Sequence, residues 1–126
     1  MALIDVLKPD FVFNDDRGSL VQIVHGGCEQ VNAVFTKKGA VRGNSHYHRL
    51  NEEIFFIISG SVAVTAELGG EREEYVFSSG DMFRVNRNVR HSFVYLEDTY
   101  LVGLYSGRVE LPDGSKDIYT DEAKKD

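Results

Sequence analysis

The run Gly43-Asn44-Ser45-His46-Tyr47-His48-Arg49-Leu50-Asn51-Glu52-Glu53-Ile54-Phe55-Phe56 decides how the chain is read. His46 and His48 stand two residues apart, and on a strand such residues point to one face. Glu53 follows a short polar break, Arg49-Leu50-Asn51, and opens an apolar run to Ile58. A turn at that break brings Glu53 back beside the two imidazoles. His91 belongs to a later strand-like stretch. Three imidazoles and a carboxylate suit a borderline divalent ion, Fe, Mn, Ni or Zn. In a metal-free pocket the same groups do acid–base work, and the residues alone leave both uses open.

Outward from this run, the chain is a series of short β-like segments broken by Gly, Asn and Asp. Phe11 to Phe13 precedes the turn cluster Asn14-Asp15-Asp16-Arg17-Gly18, and Ser19 to Val24 ends at Gly26-Gly27. Gln30 to Phe35 is β-branched and aromatic and ends at Lys37-Lys38-Gly39. Glu53 to Ile58 is apolar on both faces after its first residue, so both faces need cover. Ser59-Gly60 marks a hairpin, and Gly69-Gly70 a second tight turn after Ser61 to Leu68. Arg72 to Phe77, Met82 to Val85, His91 to Leu96 and Tyr100 to Tyr105 complete the set. About ten short strands at this spacing predict an antiparallel sandwich or barrel. The barrel is expected over about residues 10–107, with 108–126 a polar tail capping one end or partly disordered.

The length of 126 residues fits one domain, and 42% hydrophobic residues suffice for one core. A net charge of -6 argues against a nucleic-acid or anionic-membrane surface. It leaves room for one phosphorylated substrate, which needs only one or two local Arg residues. There is no long apolar run and no leader-like start, so the expected location is cytoplasmic, without a membrane partner. The single cysteine, Cys28, excludes an intrachain disulfide.

The spacing His46-x-His48, four residues, Glu53, six residues, Gly60 resembles the first signature motif of the cupin superfamily. The second motif is matched by Gly80 and His91, with Asn86 and Asn88 where Pro and Gly are usual and Tyr95 where Asn is common. Asn tolerates the left-handed backbone region, so the turn survives that departure. The resemblance covers residues 39 to 95. It implies an all-β double-stranded β-helix (a jelly-roll or cupin barrel) and a metal site of His46, His48, Glu53 and His91. Homodimers built by sheet packing or strand exchange are also implied, and the doubly apolar strand at Ile54 to Ile58 fits one.

Asp15-Asp16-Arg17-Gly18-Ser19-Leu20, and the run from Gln30 through Arg42-Gly43 into His46-Tyr47-His48, narrow the resemblance. Both are similar to stretches of dTDP-4-dehydrorhamnose 3,5-epimerases and dTDP-sugar 3,4-ketoisomerases, and the Gly-Asn and Asn-Glu pairs to capsular-polysaccharide cupin domains. This implies an isomerase or epimerase acting on a keto-deoxysugar nucleotide for surface polysaccharide, without an organic cofactor. Arg17 and Arg42 would bind the diphosphate, for which a bidentate, permanently charged guanidinium is suited. His46 or His48 would be the base, and Tyr95 and Tyr105 are the candidate tyrosines, Tyr95 for catalysis and Tyr105 for substrate binding. Arg42 lies four residues before His46, where these enzymes have three. One extra residue flips the side-chain face unless a β-bulge absorbs it.

The two uses of the histidines compete, because a nitrogen bound to a metal has no lone pair for a proton. Alternatives to the isomerase are a metal-dependent dioxygenase or lyase and a non-catalytic sugar-binding domain.

Overall fold

The computed structural model describes residues 2–120, the side chain of Asn44 excepted; residues 121–126 of the predicted tail lie outside the described part. The chain folds as eleven strands with no helix among the described residues. They are β1 (Ile4–Leu7), β2 (Phe11–Asp15), β3 (Gly18–Gln22), β4 (Gln30–Thr36), β5 (Val41–His46), β6 (Glu53–Ser59), β7 (Ser61–Leu68), β8 (Glu71–Ser78), β9 (Met82–Val85), β10 (Arg90–Tyr95) and β11 (Thr99–Tyr105). A five-stranded sheet runs β1-β9-β6-β11-β4 and a four-stranded sheet β5-β10-β7-β8, all antiparallel. This is the all-β jelly roll expected. β1 pairs with β9, so the sheets begin before residue 10. β2 and β3 pair only with each other and form a ribbon outside both sheets.

The period-two patterning puts Phe55, Ile57 and Leu101 of the larger sheet against Val62, Val64, Phe77, Phe93 and Tyr95 of the smaller one. Phe77 stacks on Phe83 with centroids 4.0 Å apart, and Phe55 meets both Phe83 and Phe93. This aromatic floor fills the barrel below its open end. The outer face of β6 is apolar too. Phe56 lies in register with Met82 on one side and Val102 on the other, and Phe56 and Met82 are buried.

Two tight turns were legible, Ser59-Gly60 and Gly69-Gly70, and the first is sterically fixed. Gly60 has φ +99, and a Cβ there would meet the Asp98 carbonyl oxygen and Thr99 Oγ1 at 2.4 Å. Asn88 stands in the left-handed region at φ 67, the conformation for which Asn is suited at that turn.

Candidate functional site

The open end of the barrel holds a cavity of about 120 Å³. It is lined by Arg42, Gly43 and His46 from β5, Glu53 and Phe55 from β6, His91, Phe93 and Tyr95 from β10, and Tyr105 from β11, with Val34 and Leu101. Strand geometry dictates most of this: His91, Phe93 and Tyr95 share one face of β10, and Glu53 and Phe55 one face of β6.

β5 needs a special device. His46 pairs with His91 and Arg42 with Phe93, so three residues of β5 stand opposite the single Ser92 of β10. This β-bulge absorbs two residues, an even number, so Arg42 and His46 remain on the same face. Gly43 (φ +83) and Ser45 (φ 64) carry the required backbone, and the Ser45 N–H donates to Ser92 Oγ at 2.7 Å. Gly43 is also forced by space: a Cβ would lie 3.3 Å from the His91 carbonyl oxygen and 3.4 Å from the His46 ring. Arg42 therefore reaches the cavity despite the four-residue spacing. Its Nε donates to Thr36 Oγ1 at 2.8 Å, and the residue stays exposed while lining the cavity.

His46, His48, Glu53 and His91 converge, with one ligand atom from each lying within 4.8 Å of all the others. His46 faces the cavity, whereas His48 is buried behind it and does not line it. His48 Nδ1 lies 2.5 Å from the Asp117 carbonyl oxygen, and His91 Nδ1 lies 3.0 Å from that of Val89. A carbonyl only accepts, so both rings carry hydrogen at Nδ1 and turn Nε2 inward. Glu53 Oε1 sits 2.9 Å from His48 Nε2 and 3.1 Å from His91 Nε2. Yet the contacts lack hydrogen-bond geometry, and His48 Nε2 and Glu53 Oε1 are buried with no hydrogen-bond partner among the described residues.

Such an arrangement requires positive charge between or on these groups. A divalent cation fits: the donor set is right, the inner atoms are unsatisfied, and backbone carbonyls orient two of the imidazoles from behind. A proton on His48 is the other solution. Burial opposes that proton, but Glu53 overcomes it and the His48 imidazole is raised above its ordinary value. Burial likewise pushes the Glu53 carboxyl up, and His48 and His91 more than reverse this, holding it far below the carboxylate range.

His46 behaves oppositely. Burial, then the adjacent His91, lowers it to about 4, so it presents a neutral ring to the cavity at neutral pH. Burial raises the Tyr95 hydroxyl, and raises Tyr105 strongly with the Glu53 charge beside it, so both phenols keep their protons.

Arg17 lies elsewhere. It sits at the tip of the β2–β3 ribbon, its side chain 83% exposed and paired with Asp15 at 2.5 Å, and it does not line this chain's cavity. Thr36, which holds Arg42, and Asp117, which backs His48, carried no sequence signal. Asp117 lies in the part read as a polar tail.

A family model described as a Cupin domain matches residues 34–105. No curated protein matches the chain. Among solved structures, the chain is similar to a dTDP-4-dehydrorhamnose 3,5-epimerase from Sulfolobus tokodaii, with 24% identity over 81% of this chain and 69% of that one and a TM-score of 0.69. It is similar to a mutant 3,4-ketoisomerase from Thermoanaerobacterium thermosaccharolyticum in complex with TDP-4-keto-6-deoxyglucose, at 18% identity, 99% and 96% coverage and a TM-score of 0.79. It is also similar to a 3,4-ketoisomerase from Helicobacter canadensis, at 18% identity, 96% and 92% coverage and a TM-score of 0.78. Identities this low establish a shared fold.

Proposed function

The chain belongs to the cupin domain family, and we propose that it isomerises or epimerises a keto-deoxysugar nucleotide of surface-polysaccharide synthesis. One observation carries the reading: an arginine and a neutral imidazole line one cavity, brought together by the bulge at Gly43 to Ser45. The cavity volume of about 120 Å³ is small against ordinary ligand sites. It admits the reacting sugar ring, while the diphosphate lies at the mouth against Arg42, bound as a charge-assisted pair.

His46 is the base. Its free ring nitrogen takes the proton from the carbon next to the keto group. The C–H bond breaks, an N–H bond forms, and the electron pair moves into an enolate. Tyr95, kept protonated by burial, donates a hydrogen bond to the developing oxyanion. Protonation of the same carbon from its opposite face by a proton from solvent, with His46 giving its own proton to solvent, gives the epimer. Return of the proton from His46 to the neighbouring carbon, with the enediol proton redistributed, moves the keto group. Tyr105 lines the cavity beside Glu53 and shapes the wall that the sugar meets. Incubation with TDP-4-keto-6-deoxyglucose in deuterated buffer, followed by NMR, tests the proposal. The expected result is deuterium at one ring carbon beside the keto group and its loss in His46→Gln. No exchange, together with no thermal shift by millimolar TDP or UDP, refutes it.

The molecule acts as a homodimer in this proposal. Phe11, Phe13 and Leu20 on the β2–β3 ribbon are each about half exposed, and an isolated two-stranded ribbon is marginal in water. A second copy covers this ribbon, and Arg17 at its tip then serves the partner's cavity. A monomer by light scattering contradicts this part.

The unpaired His48 Nε2 and Glu53 Oε1 favour a second reading, a metal-dependent cupin acting as a dioxygenase or lyase. His46, His48, Glu53 and His91 would hold the ion, which would supply Lewis-acid or redox chemistry. Protein that purifies without metal and binds no added Fe, Mn, Ni or Zn in calorimetry excludes it.

A further inference from the structure

The segment after β11 does more than cap the barrel. Asp117 is fully buried, and its carboxylate accepts hydrogen bonds from the backbone N–H groups of Arg49 and Leu50 and from Asn51 Nδ2, each at 2.9 Å. Its own N–H donates to the Val109 carbonyl at 2.9 Å. Its carbonyl oxygen is the one that His48 Nδ1 meets. Asp117 thus closes a ring. Its main chain holds the His48 imidazole, and its side chain holds the residues that immediately follow His48 and lead to Glu53. Asn51, also buried, extends the lock by accepting from the Gly107 N–H at 2.6 Å and donating to the Arg108 carbonyl. Two residues beyond Asp117, Tyr119 and Tyr47 exchange both backbone hydrogen bonds, which fastens the segment to the end of β5.

We infer that Asp117 is a positioning residue for His48, and that residues 109–120 form a strap that sets the imidazole's tautomer and its approach to Glu53. Without the carboxylate, two buried N–H groups and the Asn51 amide lose their acceptor, and the carbonyl loses its fixed place. The His48 ring then has no reason to keep hydrogen at Nδ1 and Nε2 inward. Those two features make the cluster usable by either an ion or a proton. The inference rests on the functional reading only in taking His48 as part of the site.

The test is 15N-histidine NMR on the full chain, with the His48 signals assigned by loss in His48→Gln. In the parent, His48 Nδ1–H gives a slowly exchanging downfield proton, and His91 Nδ1–H, bonded to Val89, gives a second one. In Asp117→Ala the His48 signal is expected to vanish or to exchange at least about tenfold faster, while the His91 signal stays. With TDP-4-keto-6-deoxyglucose, KM is expected to hold, because Arg42 is untouched. An unchanged His48 proton in folded Asp117→Ala overturns the inference, whatever the activity. If Asp117→Ala does not fold, Asp117→Asn, which retains one acceptor oxygen, is measured in the same way. Failure of both to fold overturns it as well, since Asp117 is then a residue of the fold and not of the site. Turnover absent from the parent refutes the isomerase reading and leaves the NMR comparison decisive for the strap.

Discussion

Replacing His46 with glutamine should remove the acid sensitivity of the fold between about pH 6.5 and 5. In the folded protein the His46 imidazole is lowered to about 4, chiefly by burial, whereas its ordinary value is 6.5. Between those limits the unfolded chain binds a proton at this side chain and the folded chain does not, so stability falls as pH falls. The slope is at most ~1.4 kcal/mol for each pH unit, which gives ~2 kcal/mol from pH 6.5 down to about 5. One edge of the ring meets the cavity, so this is an upper bound. His48 acts on the other side. Its raised value holds stability that is complete below its ordinary 6.5 and is lost as pH climbs through the folded value. Stability should therefore peak near pH 6.5. Urea titrations at half-unit pH steps read this directly. With a slope of about 1–2 kcal/mol per molar urea, the acid limb is a fall of about 1–2 M in midpoint. His46→Gln should keep the alkaline limb and flatten the acid one down to about pH 5, below which the carboxylates take over. An acid limb that persists unchanged in His46→Gln refutes the claim that burial keeps this ring neutral, and with it the case for His46 as a base at neutral pH.

Arg42→Ala should weaken TDP binding in calorimetry by tenfold or more, the loss of a charge-assisted bond of about 1.5–3 kcal/mol. Its stability should change little, since the Arg42 side chain is exposed and gives up a single hydrogen bond, to Thr36 Oγ1. Gly60→Ala should cost about 3 kcal/mol and lower Tm by roughly 10 °C, because its Cβ meets backbone at 2.4 Å as well as a positive φ. Gly114→Ala, at φ +91 in open space, should cost only about 1 kcal/mol. Asn88→Ala should cost about 1 kcal/mol and Asn88→Gly almost nothing, since φ 67 is the constraint there.

The fold was legible where period and turn chemistry agree. Ser59-Gly60 and Gly69-Gly70 bracket β7, and alternation in Val62, Val64 and Ala66 points its inner face to the core. The cluster was legible for the same reason: His46, Glu53 and His91 sit at or near strand ends that face one opening. What strand period could not supply was the separation of the two buried partners. His48 and His46 look equivalent two residues apart. However, β5 ends at His46, and His48 follows in the loop, where Asp117 draws it behind the cavity. A contact across 69 residues leaves no trace in local pattern.

The bulge is the point on which sequence and chemistry meet. Four residues from Arg42 to His46 and two from Phe93 to His91 cannot pair flat, so β5 must shed the excess. It does so at the two positions that hold positive φ, Gly43 and Ser45, and Gly43 also lets the His46 ring lie against the β10 backbone. An odd excess would have turned Arg42 outward to solvent, and the cavity would then hold imidazoles and phenols without a fixed cation at its mouth. The even excess keeps the arginine. That parity makes an anionic ligand with a reactive carbon a better match to this cavity than a small neutral one. It also predicts that deleting a single residue between Gly43 and Ser45 should abolish TDP binding, as read by calorimetry, even in variants that still fold.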